Sequence, residues 1–93
     1  MDTKKDNRMA PVKLLDQLAG KKTVVGAKQL RKALNSGAAK FVFLAENADP
    51  AITEPIEALC QLNRVNYAWV RSMTDLGHAC GIDVGAAAAA ALD

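Results

Sequence analysis

The segment Gly26-Ala27-Lys28-Gln29-Leu30-Arg31-Lys32-Ala33-Leu34 holds the side chains best suited to bind a charged partner. Ala27, Leu30, Ala33 and Leu34 recur at three- and four-residue intervals, which predicts one apolar face of a helix. At roughly 100° per residue, Arg31, Lys28, Lys32 and Gln29 follow one another across about 160° of the opposite surface. Lys28 falls in the first turn, where the helix dipole favours an acid. A lysine there fits an anion seated on the free backbone amides beside Gly26, and a glycine leaves a phosphate room to approach. Lys28 and Lys32 can donate to phosphate or to guanine O6 and N7, while Gln29 can both donate to and accept from a base edge. A solvated helix with an ordinary glycine start accounts for the same residues, so the segment alone leaves both readings open.

A second segment, Gly81-Ile82-Asp83-Val84-Gly85, puts two β-branched apolar residues between glycines, where polar turn residues are usual. They either tuck into the core or form an apolar wedge against an unstacked base. Aromatic residues make up only 4% of the chain and do not interleave with the basic ones, which argues against a base-stacking platform.

Catalytic chemistry is poorly provided for. Neither phosphate-binding glycine motif is present, nor is a nucleophile elbow. Glu54 and Glu57 lie three apart, yet a carboxylate pair needs burial to separate its pKa values, and an exposed acidic face is the simpler account. Asp75 and His78 share the same spacing with no nucleophile beside them. Cys80, two residues beyond His78, falls on a different helix face. The two cysteines, Cys60 and Cys80, have no metal-binding or redox spacing, and with one histidine a metal site would have to borrow carboxylates. No cofactor, metal or catalytic residue is expected.

The elements that must position these groups follow from pattern and punctuation. Residues 1–9 read as a flexible polar tail and residues 10–93 as one domain. Pro11 opens a helix carrying Val12, Leu14, Leu15 and Leu18, which Gly20 ends. Thr23-Val24-Val25 is a short β-branched run, and Asn35-Ser36-Gly37 ends the basic helix. Phe41 to Ala45 is continuously apolar, as in a strand covered on both faces. Asp49-Pro50 and Thr53 are alternative starts for the next helix, and Pro55 favours Thr53 as its cap. Val65, Tyr67 and Trp69 alternate as a strand, then Ser72 caps a helix that Gly81 closes. Ala86 to Ala91 are six alanines: propensity says helix, whereas the alternation of elements asks for a closing strand. The order implies an α/β fold, a three-layer α/β/α sandwich around a mostly parallel four-stranded sheet.

Length and charge narrow the class. The chain has 93 residues, 51% of them hydrophobic, enough for one small domain with a thin core and too apolar for disorder. The longest uncharged run, Val84 to Leu92, is less than half of the roughly 20 residues a membrane span requires. With no secretory signal visible, the expectation is a soluble intracellular protein. The net charge of +2 conceals a division: residues 1–32 carry nine basic and three acidic side chains, the remainder three and seven. That asymmetry fits a polyanion met from one side, or a solvated basic tail beside an ordinary helix face.

Three blocks of the chain together resemble the kink-turn-binding ribosomal protein family, nearest to its small bacterial YbxF-type branch. They are Thr23 to Leu34, Ala45-Glu46-Asn47-Ala48-Asp49-Pro50, and Leu76-Gly77-His78-Ala79-Cys80-Gly81-Ile82-Asp83-Val84-Gly85. The resemblance spans about residues 10–92. It implies a non-enzymatic cytoplasmic protein that binds the kink-turn, an RNA bend beside tandem sheared G·A pairs, in ribosomal RNA, a riboswitch or another transcript. It also makes the alanine run the last strand. Gly26, Lys28, Gln29 and Lys32 would form the reading edge in the major groove, with Arg31 beside them on the basic face, and Ile82, Asp83 and Val84 would cover the flipped-out nucleotide. Lys28-Gln29 replaces the Asn-Glu of archaeal and eukaryotic relatives but matches the bacterial branch. Val25 and Met73 stand where many or some relatives are basic, and Asn47 where an acid is common. A monomer without membrane contact is expected, the alternative being a protein-interaction or assembly module with an incidental basic face.

Overall fold

The computed structural model describes residues 22–92. The expected tail over residues 1–9 and the helix opened by Pro11 lie outside them. Thr23–Val25 forms strand β1 and Ala27–Ser36 helix α1, followed by β2 (Phe41–Ala45) and helix α2 (Pro50–Leu62). Strand β3 (Asn66–Val70), helix α3 (Met73–Ala79) and strand β4 (Ala88–Ala91) complete the order. Each helix lies on one side of the sheet: α1 and α2 cover one face and α3 the other, which is the expected α/β/α layering.

The alternation within β2 builds both cores. Val42 and Leu44 point to the first face, where they meet Leu30 and Leu34 of α1, Ile56 and Cys60 of α2, and Trp69. Phe43 and Ala45 point to the second, against Leu76 of α3, Val70 and Ala89. This division by alternate residues is the side-chain geometry of a strand buried on both faces.

The sheet has the order β1-β4-β2-β3. It is mixed, which corrects the mostly parallel sheet expected from the element order. Only β2 and β3 are parallel neighbours, joined through α2, while β4 runs antiparallel to both β1 and β2. The cause is the short third helix. Its seven residues rise only about 10 Å, and the chain then doubles back beside it. The Ala86 amide donates to the Met73 carbonyl at the helix start (2.9 Å). β4 therefore enters the sheet at the end where β3 left it, opposite Leu44.

The alanine run is a strand, all four of its residues buried. Pairing on two sides outweighs the helical preference of alanine: Ala90 sits between Val24 and Val42, Ala91 between Thr23 and Phe41. The start of α2 corrects the expectation of a Thr53 cap. Asp49 is the cap, its Oδ1 accepting from the Ala51 amide (2.9 Å), with Pro50 as the first helical residue. Thr53 is buried, and Pro55 sits inside the helix. The bond Pro55 cannot make belongs to the carbonyl of exposed Ala51, which water can satisfy. Ser72 caps α3 as expected, its Oγ accepting from the Asp75 amide (3.1 Å).

Candidate nucleic-acid interface

Because β1, β2 and β3 all run in one direction, the starts of α1, α2 and α3 gather at one edge of the sheet. The 81–85 loop returns to the same edge. The Gly26 amide donates to the Ala88 carbonyl (3.2 Å) and the Ala45 amide to the Ala87 carbonyl (2.9 Å). These two bonds hold the start of α1, the end of β2 and the exit of the loop in one frame. Gly26, Lys28 and Gln29 thus share an edge with the segment containing Ile82, Asp83 and Val84.

Gly26 is the N-cap of α1, with φ 103° and no side-chain cap on the amides that follow. The first bond within the helix runs from the Leu30 amide to the Gly26 carbonyl (3.0 Å), which leaves the three preceding amides without helical acceptors. A Cβ at Gly26 would meet nothing within 4 Å, so the helix start is open to an incoming group, and its positive φ suits glycine. No acid lies in the first turn. Lys28, Gln29, Arg31 and Lys32 are all exposed, and Leu30, Ala33 and Leu34 are buried beneath them. The result is a basic surface above uncapped amides, suited to an anion.

The loop residues differ from one another. Ile82 is half-buried and packs against the core of the second face, with Phe43, Leu76 and Ala86. Asp83 is exposed, and Val84 keeps 68% of its surface exposed. The two readings of this loop, core and wedge, are divided between its two apolar side chains.

Three residues without an assigned role in the sequence set how α3 meets its neighbours. The Asn47 side-chain oxygen accepts from the Met73 amide (2.9 Å), tying the β2–α2 connection to the start of α3. An acid there would accept equally well, which accounts for Asn47 in place of one. Gly77 lies against the Val84 carbonyl, and Gly85 against Met73. Gly77 carries a signal that sequence reasoning could have used: a glycine inside a helix costs about 1 kcal/mol relative to alanine, so its presence points to a close approach.

Glu57 accepts from the Tyr67 hydroxyl (2.9 Å), which in turn accepts from Gln61 (3.0 Å), joining α2 to the edge strand β3. Glu46, Glu54 and Glu57 line one cavity of about 90 Å³ beside Trp69. Cys60 is fully buried, and burial, aided by Glu57, pushes its thiol up to about 12; burial also raises Cys80. Neither thiol forms a disulfide. Among the described residues no group of three or more His, Cys, Asp or Glu is placed to hold a metal ion. No described helix is long and apolar enough to cross a membrane.

Fold and site together define an α/β sandwich with a basic surface and an uncapped helix start at one sheet edge. Comparison with known proteins makes this specific. Residues 12–93 match the ribosomal protein L7Ae/L30e/S12e/Gadd45 family, and the chain belongs to it. It is 46% identical over 71 residues to the RNA-binding protein YbxF of Geobacillus stearothermophilus, covering 76% of this chain and 87% of that protein. It is also 46% identical over 67 residues to an RNA-binding protein of Bacillus pumilus, covering 72% of this chain and 82% of the relative. These relatives are of the YbxF-type branch. Among solved structures, a 15.5 kD RNA-binding protein of Giardia lamblia superimposes with a TM-score of 0.78 at 28% identity, over 88% of this chain and 70% of that one.

Proposed function

We propose that this protein is a non-enzymatic RNA-binding module that recognises and stabilises kink-turn RNA. The observation that carries the reading is the start of α1: uncapped amides, open space at Gly26 and exposed Lys28, Gln29 and Lys32, held by the Gly26–Ala88 bond on the same edge as the 81–85 loop. Family membership and the RNA-binding relatives support it. Phosphate oxygens meet the amides and lysines, and guanine edges exposed in sheared pairs meet Lys28, Gln29 and Lys32. Arg31 adds charge on the flank. Val84 and Asp83 face the unstacked nucleotide of the bend, while Ile82 anchors the loop. RNA alone samples straight and bent forms, and a protein that fits only the bent form shifts the population by its differential affinity. The protein acts in the cytoplasm as a monomer without cofactor, on ribosomal RNA, a riboswitch or another structured transcript.

The test is titration of a kink-turn labelled at both ends for energy transfer, beside the same RNA with its sheared pairs replaced by Watson–Crick pairs. The replacement removes both the exposed edges and the bend, so affinity falls by at least about 3 kcal/mol, at roughly 1–3 for each lost base contact. Lys28→Ala or Gln29→Ala narrows the gap between the two RNAs. Equal binding of both RNAs with no change in end-to-end distance would overturn the reading.

A further inference from the structure

Resting on that reading, we infer that Gly77 is a positioning residue of the RNA site, acting through the backbone of Val84. Four contacts hold the 81–85 loop along α3. The Gly81 amide donates to the His78 carbonyl (3.0 Å) and the Ile82 amide to the Gly77 carbonyl (3.0 Å). Beyond the loop, the Ala86 amide donates to the Met73 carbonyl (2.9 Å). Between these hydrogen bonds the chain is held by contact alone: the Val84 carbonyl lies where a Cβ of residue 77 would stand. Gly77 is buried, in the interior of α3, and the atom it accommodates is backbone. No rotamer change can relieve an added methyl there, so either the loop or the helix must move.

The loop is the softer partner. Asp83 and Val84 are exposed, whereas α3 is anchored by Leu76, which is fully buried, and by the Ser72 cap. A side chain at residue 77 therefore lifts the Val84 backbone and displaces its exposed side chain. The frame around α1 stays, because its bonds come from Ala87 and Ala88 beyond the loop. Gly77 thus governs discrimination by the loop and leaves the basic edge in place. Gly85 acts in the same direction more weakly: its Cβ would stand 3.0 Å from Met73 Cβ, a contact that a shift of a few tenths of an ångström relieves.

The experiment compares wild type, Gly77→Ala and Gly85→Ala on three RNAs: a kink-turn, the same kink-turn with the extruded nucleotide deleted, and a plain duplex. Amide hydrogen exchange is followed in parallel at Ile82 in the loop and Ala86 directly after it, and at Ala89 and Ala90 in β4. For Gly77→Ala, the preference for the kink-turn over the deleted form falls at least about tenfold, the scale of one lost base contact. Duplex affinity stays within about twofold, faster exchange is confined to the loop, and Gly85→Ala gives a smaller loss of the same kind. If wild type shows no kink-turn preference over duplex, the proposed function fails and this inference with it. If wild type shows that preference and Gly77→Ala retains it in full, only the inference is overturned. Loss of protection in β4 together with the loop would make Gly77 a requirement of the whole fold and would equally overturn a positioning role.

Discussion

Ile82 and Val84 stand two residues apart in one loop, yet truncating them separates stability from binding. Val84 keeps 68% of its surface exposed in the protein alone. Val84→Ala removes two methyl groups, worth ~1.6 kcal/mol if fully transferred from water. Only the exposed two-thirds is available to a partner, which leaves about 1 kcal/mol, or fivefold in Kd, to be lost on the RNA side. Stability changes by less than ~0.5 kcal/mol, as for most surface substitutions. Ile82 is half-buried and packs against the core cluster that contains Phe43, Leu76 and Ala86. Ile82→Ala therefore forfeits about half of a full core truncation, roughly 1–2.5 kcal/mol. In a domain of this size that lowers the melting temperature by roughly 5–15 °C. Circular-dichroism melts and titration of a fluorescent kink-turn read the two effects independently. A Val84→Ala protein that melts as early as Ile82→Ala and binds RNA like wild type would refute the division of roles.

Two further predictions concern the interior. Cys60 is held protonated to about 12 in the fold, against 9.0 as its ordinary value. Between those values the unfolded chain has lost a proton that the folded one retains, so stability is whole below pH ~9 and declines as pH rises, by at most ~1.4 kcal/mol per unit. Urea titrations from pH 8 to 10.5 measure the decline, and Cys60→Ala, though less stable at pH 8, lacks that component of the slope. Ala90 is fully buried between Val24 and Val42 in the central strand. Ala90→Leu overpacks the first face and costs roughly 1–3 kcal/mol by denaturant unfolding, despite adding apolar area; a neutral result would place free volume under α1.

Much of this fold is legible in the sequence wherever a decision is taken within one or two helical turns. The face of α1 follows from Ala27, Leu30, Ala33 and Leu34, and its basic surface is the remainder of the same helix. Ser72 and Asp75 mark the start of α3 by a contact three residues long. Local rules divide at α2, where Asp49-Pro50 and Thr53-Pro55 both offer a start. Burial of Thr53 beneath the helix, a tertiary fact, accompanies the earlier one. The six alanines are the clearest case of reversal. Their own preference is helical, and four of them, Ala88–Ala91, become an inner strand because β1 and β2 supply backbone partners on both sides, from residues about 45–70 positions away.

The direction of β4 and the geometry of the loop belong to tertiary structure alone. Nothing near Ala88 records that α3 is followed by a chain running back along it, and this reversal is what makes the sheet mixed and brings the 81–85 loop to the edge occupied by Gly26. The sequence alone likewise gives Ile82 and Val84 equal claims to core and surface. Alternation puts them on the same side of an extended segment, whereas the folded loop bends at Asp83 and Val84, leaving Ile82 half-buried and Val84 exposed. Hydrophobic pattern and capping act over a few residues, and they determined the basic face and the elements of this protein other than the alanine strand and the start of α2. Chain direction and side-chain orientation depend on which backbone groups pair and how closely they pack across the sheet, so they are decided only when the whole domain closes.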